Sequence, residues 1–272
     1  MKKNKSVFLS VPYILWMLAF TLIPLGVVGY YALTDPESGA FTWDNIMNLS
    51  MYLPVLGQSV VYALISALIC LVLGYPVAYY IAHRGPLAQK LLYMLVMLPM
   101  CMSFLLRTLA WVGLLQDTGI INNFLDAIGI GRLPLIRTPA AVILGMVYNY
   151  LPYMILPLYA TLVKLDNRLI EAAEDLGCRP AQTFARVILP LSMPGILSGI
   201  TMVFVPAVST FYISQKLGGT DTVLVGDLIE RLFKQADNPN LGAALSLVLM
   251  ALVFVCTGIM NRFGGDEEGV VV

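Results

Sequence analysis

Residues 55–82 read VLGQSVVYALISALICLVLGYPVAYYIA, a run from Val55 to Ala82 without one charged residue. An α-helix rises about 1.5 Å per residue, so roughly 20 such residues span the ~30 Å apolar slab of a bilayer. A soluble helix of this length would have to show water a polar face, and this run has none. Five more blocks are long enough: Val7 to Leu33, Leu91 to Leu115, Thr138 to Val163, Met193 to Tyr212 and Leu241 to Met260. The pattern predicts an all-α, polytopic membrane protein of six transmembrane helices, with residues 1–272 forming one domain. Prolines and glycines such as Pro24, Gly74, Pro76, Pro99, Pro152, Pro157, Pro206 and Gly258 fall inside the blocks, where membrane helices tolerate them.

Composition agrees. Of 272 residues 59% are hydrophobic and 12% charged, against roughly 25% charged in an ordinary soluble domain. The formal net charge is zero, which gives no basic face for a nucleic acid. Lys2, Lys3 and Lys5 precede the first block as in a secretory leader. The uncharged run is too long for one and no small-residue cleavage pattern follows, so a retained signal anchor is expected. Cys70, Cys101, Cys178 and Cys256 show neither metal-ligand nor disulfide spacing and are read as small packing residues. His83, the sole histidine, is read as interfacial. One histidine with no matching nucleophile motif, and no His-Glu-x-x-His, speaks against a membrane enzyme. The absence of Gly-x-x-x-x-Gly-Lys-Ser/Thr means that ATP is not bound by this chain in the usual way.

An even number of crossings puts both termini on one side. That side holds ten of the 16 Lys and Arg residues, among them Lys2, Arg84, Lys90, Lys164 and Arg186. The other holds six: Arg107, Arg132, Arg137, Lys216, Arg231 and Lys234. The positive-inside rule makes the richer side cytoplasmic. Acidic residues gather outside, including Asp35, Glu37, Asp44, Asp117, Asp126, Asp221, Asp227, Glu230 and Asp237, which favours a cationic solute arriving there. Long loops on both faces, residues 35–54 and 216–240 outside and 164–192 inside, suggest partners on both faces. Residues 119–128, with Ile120, Ile121, Phe124, Leu125 and Ile128 at helical spacing, predict a short interfacial helix.

The inner loop, Leu165 to Pro190, reads LDNRLIEAAEDLGCRPAQTFARVILP. Asp166 or Asn167 can cap a first helix. Gly177 can end it in the left-handed conformation. Pro180 suits the first turn of a second helix, and Pro190 is expected to stop that helix. Leu169, Ala172, Ala173 and Leu176 share one face of the first, and Ala181, Phe184, Val187 and Ile188 one face of the second. Periodicity leaves open whether these faces meet a soluble partner or the membrane bundle.

Glu171-Ala172-Ala173, then Gly177, Phe184, Val187 and Leu189-Pro190, resembles the EAA loop of the permeases of binding-protein-dependent ATP-binding-cassette (ABC) importers. Cys178 departs from the family's more usual alanine there. Leu191-Ser192-Met193-Pro194-Gly195-Ile196 is similar to the family's usual start of the following span. The resemblance implies that residues 164–192 hold a coupling helix seated on an ATPase subunit, with Glu171, Ala172, Ala173, Leu176, Gly177 and Phe184 in the docking role. It also implies the assembly: a homologous second permease, an ATPase dimer that binds the ATP, and an extracytoplasmic solute-binding protein, set in the lipid of a bacterial inner membrane. Within the family, residues 104–111, 119–125 and 206–219 are most similar to the first permease subunit of spermidine/putrescine importers. Permeases for thiamine, iron and other small solutes share parts of these segments, and a permease for thiamine, iron or an amino acid is the alternative. A self-contained secondary transporter is a further one, but the apolar blocks contain no ion-coupling acid.

A polyamine is a chain of cationic amines, and aromatic faces attract such groups. Tyr148 and Tyr153 in the fourth block, with Phe211 and Tyr212 at the outer end of the fifth, are the candidate pathway residues, although tyrosines near span ends commonly form interfacial belts. Arg107 is the one charge inside a block. Its distance from Lys90 places it near the outer interface, where snorkelling or a pair with Asp117 is expected.

Overall fold

The computed structural model describes residues 3–35, 38–220, 222–234 and 238–264; Lys2, Glu37, Asp221 and Asp237, counted above among the loop charges, lie outside them. The regular elements among the described residues are helices, and the extended pairing consists of one isolated bridge between Thr34 and Phe41. In chain order they are α1 (Lys3–Ala32), α2 (Asp44–Met47), α3 (Leu53–Ala82), α4 (Pro86–Met97), α5 (Phe104–Leu115), α6 (Ile120–Ala127), α7 (Pro139–Leu162), α8 (Asn167–Asp175), α9 (Pro180–Thr183), α10 (Leu189–Leu191), α11 (Met193–Val208), α12 (Tyr212–Leu217), α13 (Val225–Lys234) and α14 (Pro239–Gly264).

Four of the expected crossings coincide with α1, α3, α7 and α14. The third does not run unbroken from Leu91 to Leu115. Its first part, α4, tightens into a 3₁₀ turn at Leu98–Cys101 that contains Pro99, and Met102 is extended before α5 begins. Proline cannot donate to the preceding turn and crowds it, which ends α4 there. The fifth crossing also differs: α11 stops at Val208, and Tyr212 opens the separate helix α12. Five helical stretches are long and apolar enough to cross alone: Pro12–Ala32, Asp44–Ala82, Phe104–Ala127, Pro139–Leu162 and Pro239–Met260. The sixth is a bent pair, Pro180–Leu191 with Met193–Val208, meeting at 64°.

The helices cluster into two compact units, one of Met1–Pro54 with Leu228–Leu252, the other of Val55–Asp227 with Val253–Val272. In the first, two asparagines close the end of α1. Asn45 Nδ2 donates to the carbonyls of Ala32 (3.2 Å) and Thr34 (2.9 Å), and Asn240 Nδ2 also donates to Thr34 O. Ala32 O is one of the groups a helix C-terminus leaves unpaired, and Thr34 O lies in the turn just after it.

In the second unit α7 is the most enclosed helix, and α11 packs along it. The contact is close because small residues face it. A Cβ on Gly195 would lie 2.6 Å from Thr161 Oγ1 and 3.0 Å from Pro157 O, and one on Gly199 2.6 Å from Met154 Sδ. Gly195 and Gly199 stand four residues apart, the small-xxx-small spacing that lets membrane helices approach. Gly145 on the same helix α7 admits α12: an added Cβ would meet Leu217 Cδ1 at 2.5 Å and Ile213 Cγ2 at 2.9 Å. The expected interfacial helix is α6, with Ile120, Phe124 and Ile128 exposed on one side. Buried Asn122 fastens it, donating to Gln116 O and Leu133 O and accepting from Leu133 N–H.

Candidate functional site

The segment between α7 and α11 folds as two short helices at a tight turn. Asp166 is the cap of α8, its Oδ1 accepting from Arg168 N–H at 3.0 Å. Gly177 has φ +82°. Cys178 N–H donates to Ala173 O (3.0 Å) and Gly177 N–H to Glu174 O (2.8 Å), the paired bonds of a Schellman ending. A left-handed residue is required there, and glycine meets it without steric cost. Pro180 starts α9, and Gln182 Oε1 accepts from Arg179 N–H at 2.9 Å.

The predicted apolar face of α8 is divided. Ala173 is buried on the side that meets α9 and the turn after it. Leu169 is 48% and Leu176 86% exposed, and Glu171, Ala172 and Gly177 are exposed as well. The division has a simple cause: the Schellman turn folds the chain back against Ala173 and leaves the flanking leucines on the open side. On the second helix Ala181 is exposed, whereas Ile188 and Thr183 are buried and Val187 is half-buried. The 3.6-residue spacing fails here because Phe184–Ile188 is a π turn, closed by Leu189 N–H donating to Phe184 O.

Pro190 therefore does not stop the second helix as expected. Its missing N–H is accommodated by the wider π turn just before it, the helix continues as α10, and the direction changes at Ser192. Ser192 is buried; its Oγ donates to Leu189 O (3.0 Å), and Tyr75 of α3 reaches it with its hydroxyl at 2.8 Å. Phe184 packs edge-on against Tyr75 and Tyr79, with centroids 5.5 and 6.3 Å away. Phe184 is thus half-buried against α3 rather than grouped with the open face of α8. The sequence offered no pointer to Tyr75, because its partner is 117 residues away.

Of the candidate pathway residues, Tyr148 and Tyr153 lie on α7, Tyr212 opens α12 and Phe211 precedes it. Tyr148 is half-buried and stands edge-on to Trp111 (5.4 Å, 72°). Tyr153 is 37% exposed, with its ring 6.4 Å from that of Tyr150, whose hydroxyl donates to Pro206 O at 3.3 Å. Phe211 is exposed, while Tyr212 lies 6.2 Å from Phe104 and carries Lys216 Nζ 5.7 Å above its ring. A resident ammonium already occupies that face.

Arg107 departs from expectation. It is only 7% exposed, with Nε and Nη1 buried and without a hydrogen-bond partner, and it forms no ion pair with Asp117. Asn149, buried on α7, donates from Nδ2 to Gly145 O (2.9 Å) but leaves Oδ1 unpaired. An unpaired buried polar atom is costly and marks a place worth attention. Hydropathy blocks gave no sign of Asn149. Of the cysteines, Cys70 alone is buried, while Cys101 is exposed.

Comparison with known proteins draws these features together. The family model of the binding-protein-dependent transport system inner membrane component matches residues 71–264, which include the α8–α9 segment and α11. The spermidine/putrescine transport system permease protein PotB of Haemophilus influenzae is 41% identical over 263 residues, covering 91% of this chain and 92% of that protein. PotB of Salmonella typhimurium is 39% identical over 259 residues, covering 91% and 90%. The fold matches a chain in the crystal structure of the bacterial alginate ABC transporter in complex with alginate pentasaccharide-bound periplasmic protein, with TM-score 0.81 at 18% identity, covering 97% of this chain and 95% of that one. The all-helical fold with its apolar spans, the capped α8–α9 segment and these likenesses agree, and the chain belongs to the binding-protein-dependent transport system inner membrane component family, as a multi-pass permease of an ABC importer.

Proposed function

We propose that this chain is the permease subunit through which an ABC importer passes polyamine into the cytoplasm, and that α8 is where the ATPase docks. The observation that carries the docking reading is the open face of α8: Leu176 is 86% exposed at the end of a rigidly capped helix. An apolar face that the chain itself leaves bare suits the groove of a soluble partner, and the exposed Glu171 stands on another side of the same helix. Glu171, Ala172, Leu176 and Gly177 form the contact, Ala173 holds the turn beneath it, and Phe184 ties the segment to α3. ATP is bound and hydrolysed by the partner, so this chain needs no cofactor and no catalytic residue of its own.

The mechanism is alternating access. Closure of the ATPase dimer moves α8, the bend at Ser192 passes the motion into α11, and the cavity shared with a second, homologous permease opens to a solute-binding protein outside. Both termini lie in the cytoplasm, following the Lys and Arg distribution. The polyamine reading is supported by the likeness to PotB over most of the chain and by the acidic outer loops. Tyr148 and Tyr153 remain the aromatic residues suited to amine contact; Tyr212 is less so, because Lys216 lies over it.

The test has two arms. Glu171→Lys and Gly177→Pro should insert normally yet lose transport and ATPase co-purification, and normal co-purification would remove the docking role. In cells expressing the whole assembly, unlabelled spermidine and putrescine should compete for uptake while thiamine and amino acids do not. Competition by thiamine alone would replace the substrate and leave the permease reading intact.

A further inference from the structure

Two adjoining depressions lie where the α3–α4 turn meets the end of α7. One, of about 400 Å³, is lined by Pro86, Gln89, Lys90, Tyr93, Leu156, Tyr159 and Ala160. The other, of about 270 Å³, is lined by His83, Arg84, Gln89, the last residue of α7, Leu162, and Val163 and Leu165 just after it. Gln89 is their shared wall and is fixed on both sides. Its Nε2 donates to Ala82 O (2.9 Å) and Arg84 O (2.8 Å), and its Oε1 accepts from Tyr159 O–H (3.4 Å). The rings of Tyr93 and Tyr159 pack at 5.4 Å and give the larger depression an aromatic side.

The charges around this place share one sign. Arg84 lies 4.2 Å above the ring of Tyr80 and donates to its hydroxyl, so its guanidinium is held in position. His83 is held likewise, its Nδ1 2.9 Å from Tyr79 O and its ring 4.1 Å from that of Tyr79. Lys90 is exposed on the opposite rim, and Lys164 follows the end of α7. None of Arg84, Lys90 and Lys164 has a carboxylate partner among the described residues. The sequence contains no Asp or Glu between Asp44 and Asp117, nor between Arg137 and Lys164; the carboxylate next along the chain, Asp166, is turned to the start of α8, where it accepts from Arg168 N–H at 3.0 Å. A held guanidinium with lysines around it and no carboxylate paired to them, beside an apolar and aromatic wall at a helix end, asks for an anion with an apolar tail.

We infer that this is a headgroup site for an anionic phospholipid of the inner leaflet, the phosphodiester lying between Arg84 and Lys90 and an acyl chain running along Leu156 and Ala160. The inner-leaflet assignment rests on the orientation proposed above; the lipid chemistry does not. Charge complementarity selects lipid over a protein partner, since basic pockets between helices at the cytoplasmic face suit anionic headgroups. Tyrosines at headgroup depth belong to the same setting.

Native mass spectrometry of the full chain in detergent tests it, with phosphatidylglycerol, phosphatidylcholine or inorganic phosphate added. Phosphatidylglycerol should be retained preferentially, and each of Arg84→Gln and Lys90→Gln should weaken its retention about fivefold, as expected for one surface cation, with unchanged elution on size exclusion. Equal retention of the two lipids, or of phosphatidylglycerol by the double variant and the parent, overturns the site. Equivalent binding of inorganic phosphate alone overturns the lipid and makes it a small-anion site. Loss of ATPase or second-permease co-purification in the double variant, with lipid retention intact, makes this face a protein interface and likewise overturns it. Orientation is read separately by labelling native Cys178 with an impermeant maleimide in intact cells. Labelling there moves the site to the outer leaflet and overturns the inner-leaflet assignment, whatever the lipid result.

Discussion

The face of α11 toward α7 and the open face of α8 are both apolar, and this chain covers only the first. At α11 the fit leaves no space: Gly195 and Gly199 are flush against Thr161, Pro157 and Met154. At α8, Leu169 and Leu176 stand in the open, and nothing lies within 4 Å of where a Cβ on Gly177 would be. The difference separates what the chain does for itself from what it offers to others. Glycine serves in both places for unlike reasons, close approach in α11 and a left-handed backbone at Gly177. Substitutions in the two regions should therefore fail in different assays.

The largest effect is expected at Gly195. In Gly195→Leu the side chain has to displace β-branched Thr161 and the carbonyl of Pro157, and overpacking of this kind costs about 3 kcal/mol when backbone cannot yield. The folded yield in membranes should drop, and the thermal midpoint of the purified chain should fall by several degrees. An unchanged midpoint would mean that α7 and α11 are less tightly joined than the geometry states. Leu176→Asp should do the opposite, leaving the midpoint unaltered. It removes one leucine's worth of burial on the partner, about 2 kcal/mol, or roughly a thirtyfold loss of ATPase affinity in a pull-down titration. A fall in the thermal midpoint equal to that of Gly195→Leu would erase the contrast between the two regions.

Gly177→Ala sharpens it further. No neighbour obstructs the methyl group, so the penalty comes from φ +82° alone, about 1.5 kcal/mol for an L-residue in the left-handed region. That strain should fray the Schellman turn and weaken ATPase binding about tenfold, with exchange of the Gly177 and Cys178 amides accelerated. Gly177→Asn should recover part of the loss, since asparagine adopts this conformation more readily. Equal weakening by both would point to a side-chain clash with the partner instead of backbone strain.

Much of this was readable from residue spacing. Blocks of the right length and free of charge predicted the crossings, because a bilayer imposes one length on every helix that crosses it. Asp166, Gly177 and Pro180 marked the ends of α8 and the start of α9, because capping is a local property of a few residues. What escaped is long-range. Pro99 and Pro190 are similar in sequence, yet α4 ends at one and the helix passes the other through a π turn, an outcome decided by what Phe184 and Ser192 meet on α3. The burial of Arg107 was missed for the same reason: distance along a helix estimates depth but not which neighbours close over the side chain. Among the site residues, the exposure of Glu171 and Leu176 fits the family resemblance, while Phe184 lies against Tyr75, a contact that no periodicity could foresee.

The smallest effect concerns the join between the two regions. Ser192 has one hydroxyl proton, and it is directed to Leu189 O, so the 2.8 Å contact with Tyr75 is one in which the tyrosine donates. Tyr75→Phe keeps the ring against Phe184 and removes only that donor, leaving a buried oxygen short of one bond at a cost of about 1 kcal/mol. ATPase co-purification should persist, because the open face of α8 is untouched, and the thermal midpoint should shift by little. Uptake per ATP in reconstituted vesicles should fall about fivefold if the bend at Ser192 transmits the motion of α8 into α11. Ser192→Ala should cause a similar loss, and the double variant should lose no more than either alone, since the two residues share one interaction. Additive losses would show that Tyr75 and Ser192 act separately. Normal uptake per ATP in both single variants would mean that the bend is only structural, and that the covered and uncovered faces communicate by another route.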